Sequence, residues 1–161
     1  MGRKEEKQAP AFIYWQSPIG WLRLSADQEA LTGIEFCREP GSTATASPVL
    51  REAVRQLREY FGGQRKIFDL PLHFKGTAFQ KKVWAALCEI PFGQTASYKE
   101  IARKIGHPQS MRAVGAANGR NPIPIIVPCH RVIGADGRLV GYSSGLWRKE
   151  WLLNHEKQFL P

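Results

Sequence analysis

The residues of this 161-residue chain best suited to covalent chemistry are five in a row, Pro128-Cys129-His130-Arg131-Val132. A cysteine attacks only as its thiolate, and an unperturbed thiol with pKa near 8.5 is about 3% ionised at pH 7, so a base must help. His130 is the base at hand. Neighbouring side chains of an extended chain point to opposite faces, so the proton would pass through a turn or a bound water rather than by direct contact. Glu156 is a carboxylate that can orient the imidazole and complete a nucleophile-base-carboxylate relay. A lone cysteine is more often a small buried hydrophobe, and only this setting argues otherwise for Cys129.

Metal and disulfide chemistry find less support. Cys37, Cys88 and Cys129 cannot all pair, and none lies in a CxxC or Cys/His cluster with zinc-ligand spacing, so no metal is expected. Cys37 and Cys88 fall in strand and helix patterns and read as core positions.

The elements around the relay divide the chain in two. Residues 11–36 alternate apolar and turn-forming residues as a β-meander: AFIYWQ, SPIG, WLRLS, ADQE, ALTGIEF. Ser47-Pro48 reads as a helix start, with Leu50, Val54, Leu57 and Phe61 on one face and Gly62-Gly63 as the stop. KIFDLPL is an extended piece, and the boundary falls at Lys75-Gly76. Thr77 then caps a helix to about Ile90. SYKEIARKIG and the segment from Ser110 to Gly119 form a helix-turn-helix candidate. LVGY, at 139–142, is strand-like and can form a wing. A last helix over 147–156 puts Trp147, Trp151 and His155 on one face, with His155 structural.

The formal charge is +9 and the pI about 9.8. Residues 81–161 hold 12 basic against 5 acidic groups, so the second half carries most of the excess and points to a polyanion, namely nucleic acid. The longest apolar stretch, Ile123 to Val127, is broken by proline and far short of the ~20 residues of a membrane span. No apolar run follows MGRKEEKQAP, so no secretory signal is read, and the expected place is the cytosol, on the nucleoid.

IVPCHRV with NPIPI before it resembles the active-site signature of the methylated-DNA-protein-cysteine methyltransferases, also called O6-alkylguanine-DNA alkyltransferases. GTAFQKKVWAALCEIPFGQTASYKEIA is similar to the family's helix pair ahead of the site, MRAVGAANGRNP to its DNA-reading helix and KEWLLNHE to its closing helix. The resemblance spans residues 76–156, with SPIGWLRL agreeing more loosely. It implies an α+β fold: a ribonuclease-H-like N-terminal domain of β-meander plus helix over 1–75, then a mostly helical, winged helix-turn-helix-type domain over 76–161.

It also implies an activity: irreversible, stoichiometric transfer of an alkyl group from the O6 atom of guanine in double-stranded DNA to the protein's own cysteine, without cofactor. The base is flipped out of the stack. Carried over by position, Cys129 is the alkyl acceptor, His130 the water-mediated base, Glu156 its orienting carboxylate, and Asn121 the brace of the cysteine turn. Tyr98 donates to the flipped base and crowds the adjacent phosphate, and Arg112 fills the vacated place in the stack. Ser143 belongs to the loop contacting the O6 atom, beside Tyr142 on the pocket wall, and Val132 offers backbone to the base edge. The helix of Arg112 is expected in the minor groove, where Ala113, Gly115, Ala116 and Ala117 permit close approach. A monomer is expected, with several copies able to share one DNA. Asn118 and Ser144 stand where relatives often have a bulky apolar residue and a glycine.

Three other functions compete: a non-catalytic lesion-binding protein, a helix-turn-helix regulator and a cysteine hydrolase. The presence of Cys129 argues against the first. No dimerisation element or effector domain supports the second, and turnover on esters or amides would mark the third.

Overall fold

Alternation of apolar and polar residues builds an antiparallel meander, β1 (Ala11–Ser17), β2 (Gly20–Ala26) and β3 (Leu31–Cys37). Trp15 pairs with Leu22 and Leu22 with Phe36, and Leu22, Leu24 and Ala26 turn inward from alternate positions of β2. The computed structural model describes residues 11–161, so the reading of residues 1–10 as no secretory signal lies outside the described residues.

α1 (Pro48–Phe61) packs on this meander, its first turn capped by the Ser47 hydroxyl accepting from the Leu50 N–H. The buried face is Leu50, Ala53, Gln56, Leu57 and Tyr60, whereas Val54 and Phe61 are half-buried. The face is therefore turned from the expected one, and Tyr60 points inward. KIFDLPL forms no strand. Leu72 makes a single bridge to Leu31, flanked by bonds from the Leu31 N–H to the Pro71 carbonyl (2.9 Å) and from the His73 N–H to the Leu31 carbonyl (3.0 Å). Pro71 has no N–H with which to extend a ladder.

The second half is mostly helical. α2 (Ala78–Leu87) opens on a capping box between Thr77 and Gln80 and ends before Ile90, because that residue precedes Pro91 and its N–H bonds the Leu87 carbonyl in a tightened last turn. The pair β4 (Ala96–Ser97) and β5 (Val132–Ile133) is parallel. α3 (Tyr98–Lys104) carries a Ser97/Glu100 capping box, and α4 (Met111–Gly119) packs on both α2 and α3. The indole N–H of Trp84 donates to the Ala117 carbonyl at 2.8 Å and pins α2 to α4. α5 (Leu146–Gln158) closes the chain.

The class is α+β, with one apolar core that joins Leu22 and Leu57 of the first half to Leu87, Val114 and Leu152 of the second. The wing strand expected at 139–142 is absent: the Val140 and Gly141 carbonyls accept from side chains, and Gly141 takes φ +64. Among the described residues no helix is long and apolar enough to cross a membrane.

Candidate active site

The turn that presents Cys129 is held from within. The Asn121 amide donates to the Val127 carbonyl at 2.8 Å and accepts from the Ile123 N–H at 2.9 Å, while the Val127 N–H donates to the Ile123 carbonyl. Inside it Ile125 sits at φ +74, a region that β-branched residues almost never adopt and that costs about 1–3 kcal/mol. Asn121 thus braces a strained loop directly ahead of Cys129.

Residues 129–131 then form one turn of 3₁₀ helix rather than extended chain, which swings the His130 side chain to α5. His130 Nε2 lies 2.7 Å from Glu156 Oε2, and both side chains are fully buried. Since a carboxylate can only accept, Nε2 carries the proton and Nδ1 presents its lone pair. Nδ1 is buried without a hydrogen-bond partner among the described residues. Burial holds the imidazole below its ordinary pKa despite Glu156, so it is neutral and able to take a proton.

Glu156 is the hub. Arg131 donates through Nε to Oε1 (2.8 Å) and through Nη2 to Oε2 (3.0 Å), and the Gly93 N–H donates to Oε1 (3.0 Å). The Tyr60 hydroxyl donates to Oε2 at 2.7 Å. Against the cost of burial, the bond from His130 and the bonds and charge of Arg131 hold the carboxyl far below the usual range, so it remains ionised. Gly93 reaches it at φ +78, where a side chain would strike Leu160.

Cys129 is only 4% exposed, and burial pushes its thiol up to about 11. Pulling the other way are the Asn121 amide, the Lys149 ammonium and the N–H groups of Cys129 and His130. The resting residue is therefore a protected thiol, and attack needs the proton removed when substrate is present. Lys149 is itself buried, lowered to about 8 by desolvation, and donates to the Val140 (2.9 Å) and Gly141 (3.1 Å) carbonyls. Burial raises Tyr142 and Tyr98, and a thiolate at Cys129 would raise both further, so each keeps its proton.

The remaining expected site residues lie on a more open face. A cleft of about 320 Å³ is lined by Tyr98, Lys99, Met111, Arg112, Gly115 and Ala135. Tyr98 donates to the Val140 carbonyl at 2.9 Å, so its hydroxyl is engaged by the loop leading to Ser143. Arg112, Ala113, Ala116 and Ser143 are exposed; Val132 is buried in β5, and Ala117 in the core. Cys88 is exposed at the end of α2 and Cys37 half-buried, so neither is a core position; Cys88 sits past the last helical residue, beyond the buried face. His155 bonds the Tyr60 carbonyl (2.8 Å) and stacks on Trp151, whereas Trp147 is 54% exposed, off that face. Asn118 donates to the Cys129 carbonyl at 3.4 Å, while its Oδ1 has no partner among the described residues.

Sequence reasoning missed Tyr60, Gly93 and Lys149 as parts of the site, and read Arg131 only as motif. Arg131 had a signal in its place beside His130. The others had none beyond ordinary helix and turn patterns.

Comparisons agree with this geometry. The family model of the 6-O-methylguanine DNA methyltransferase ribonuclease-like domain matches residues 11–74, and that of the DNA binding domain matches residues 78–158. The methylated-DNA-protein-cysteine methyltransferase of Methanosarcina barkeri is 51% identical over 151 residues, covering 90% of this chain and 96% of its own. The protein of that name from Mycobacterium bovis is 51% identical over 150 residues, covering 90% and 91%. The crystal structure of the Mycobacterium tuberculosis O6-methylguanine methyltransferase superposes with TM-score 0.83 at 44% identity, over 95% of this chain and 96% of that one. Mycobacterium tuberculosis OGT in complex with DNA gives TM-score 0.84 at 49% identity, over 93% and 94%. The chain belongs to the 6-O-methylguanine DNA methyltransferase family.

Proposed function

We propose that the protein repairs double-stranded DNA by turning an O6-alkylguanine out of the duplex and moving its alkyl group, once and irreversibly, onto Cys129. The observation that carries this reading is the buried His130–Glu156 pair, with His130 in the same turn as the buried Cys129 thiol and with Tyr98 and Arg112 lining an open cleft. His130 Nδ1 takes the thiol proton through a bound water, and Sγ attacks the alkyl carbon. The S–C bond forms as the C–O6 bond breaks, and the bonding pair leaves with the guanine. Tyr98, once released from the Val140 carbonyl, donates to the leaving base and recovers a proton by way of His130 and solvent. The net movement is of alkyl to sulfur and of the thiol proton to guanine. A thioether has no easy hydrolytic exit, so the protein is consumed, and no cofactor is called for.

Recognition falls to the cleft face. Arg112, exposed on α4, fills the gap left by the flipped base, and the small residues Ala113, Gly115 and Ala116 of the same helix let it approach the minor groove closely; the exposure of Arg112 supports this reading. Ser143 and Tyr142 wall the base, and Val132 offers backbone to its edge. The protein acts as a monomer in the cytoplasm on nucleoid DNA, several copies sharing one duplex. The test uses a duplex whose restriction sequence is blocked by one O6-methylguanine. Cleavable duplex rises until it equals the protein added and then stops. No restored duplex, or more restored duplex than protein, contradicts the reading.

A further inference from the structure

Glu156 accepts from a side chain that lies far away in sequence and belongs to the other half of the fold. Tyr60, in the last turn of α1, is fully buried, and its hydroxyl donates to the same Oε2 atom that receives His130 Nε2, each at 2.7 Å. Its ring is packed by Phe61, Phe68, Phe92 and His155, and its carbonyl is held by His155, so the hydroxyl has little freedom to turn away.

We propose that Tyr60 is a positioning residue for alkyl transfer, acting through Glu156 to limit how much carboxylate charge reaches His130, so that the meander-and-helix half is built into the reactive site. The inference rests on the alkyl-transfer reading above.

Two oxygens share one negative charge among five donors. Arg131 and the Gly93 N–H fix where the carboxylate lies, and Tyr60 competes with His130 for Oε2. Removing the Tyr60 donor leaves more charge on that oxygen, which stabilises the imidazolium and raises the pKa of His130. A raised pKa leaves less neutral imidazole at a given pH, so the acid limb of transfer moves upward. The other groups facing the pair are Arg131 on its own turn, Lys149 on α5, and the Cys129 thiol, with Tyr142 facing Tyr60. All of them stay in place when the hydroxyl is removed. The tyrosine itself is raised well above its ordinary pKa, so it donates throughout the working range.

The experiment compares wild type, Tyr60→Phe and Phe61→Leu in single-turnover methyl transfer from about pH 5 to pH 9, around the ordinary histidine pKa. His130 is titrated by NMR in the same three proteins, and thermal melting is followed. Tyr60→Phe is expected to raise the His130 pKa and move the acid limb up by roughly half a unit. Transfer should slow about threefold on that limb and converge with wild type at high pH. Phe61→Leu, which loosens the same aromatic cluster, should melt lower and leave the limb in place. An unmoved His130 titration in Tyr60→Phe, a uniform loss at every pH, or an equal limb shift in Phe61→Leu overturns the proposal. Wild-type protein that transfers no methyl overturns the underlying reading instead, and the His130 titration still decides the role of Tyr60.

Discussion

The site has two regions built on opposite principles. Behind Cys129 everything is buried and over-determined: Glu156 and His130 are wholly enclosed, and their bonds come from α1, the Gly93 turn, the 129–131 turn and α5. In front of it Arg112, Ala113 and Ser143 are exposed, and Tyr98 is held by one bond to a loop carbonyl. The contrast separates two tasks. An enclosed hydrogen-bonded pair has its geometry fixed before any partner arrives, while an exposed face stays open and can yield to a large one. A thiol held up by burial is also protected from adventitious reaction, as the proposed single use of Cys129 would require.

The comparison is tested most severely from its buried side. Glu156→Gln leaves Arg131 buried against a neutral amide, and breaking such a pair costs about 3–5 kcal/mol. At ~2–4 °C per kcal/mol for a chain of this size, that is a melting drop on the order of 10 °C by calorimetry. Transfer should slow as well, and the apparent thiol pKa should rise because the imidazolium loses its counter-charge. An unchanged pH-rate profile with normal melting would remove Glu156 from the relay.

On the open side, Arg112→Ala should spare stability and act on flipping alone. Transfer from duplex is expected to fall by roughly one to three decades, at about tenfold per 1.4 kcal/mol of lost compensation. Reaction with the free alkylated base should barely move. Equal losses on both substrates would make Arg112 a support of the pocket and erase the division.

The smallest expected effect concerns the buried thiol. Its pKa is raised from 9.0 to about 11, so the unfolded chain releases this proton first and folding loses stability as pH climbs above 9. Cys129→Ser should escape that loss, a relative gain of ~1 kcal/mol at pH 10 in urea unfolding. Parallel stability curves for the two proteins would place the thiol nearer water.

Cys129, His130 and Glu156 were legible because two are adjacent in a distinctive pentapeptide and the third ends a helix pattern. The meander and the helices followed from alternation, capping residues and glycine stops. Tyr60 was hidden because Phe61 fits the same helical stripe, and only packing decides which aromatic turns inward. Lys149 was hidden because a lysine on a helix is ordinarily solvated, whereas here loop carbonyls of residues 140 and 141 accept its hydrogen bonds. Those same side-chain bonds explain the missing wing strand, since LVGY has strand-like composition but its carbonyls are already engaged. Long-range contacts of this kind leave no local pattern to read.

Intact-mass analysis with peptide mapping, after incubation with excess O6-methylguanine duplex, tests the central claim most directly. The account predicts one methyl per protein, all of it on Cys129, and none in Cys129→Ser. Unmodified protein, or methyl on Cys37 or Cys88, would contradict it.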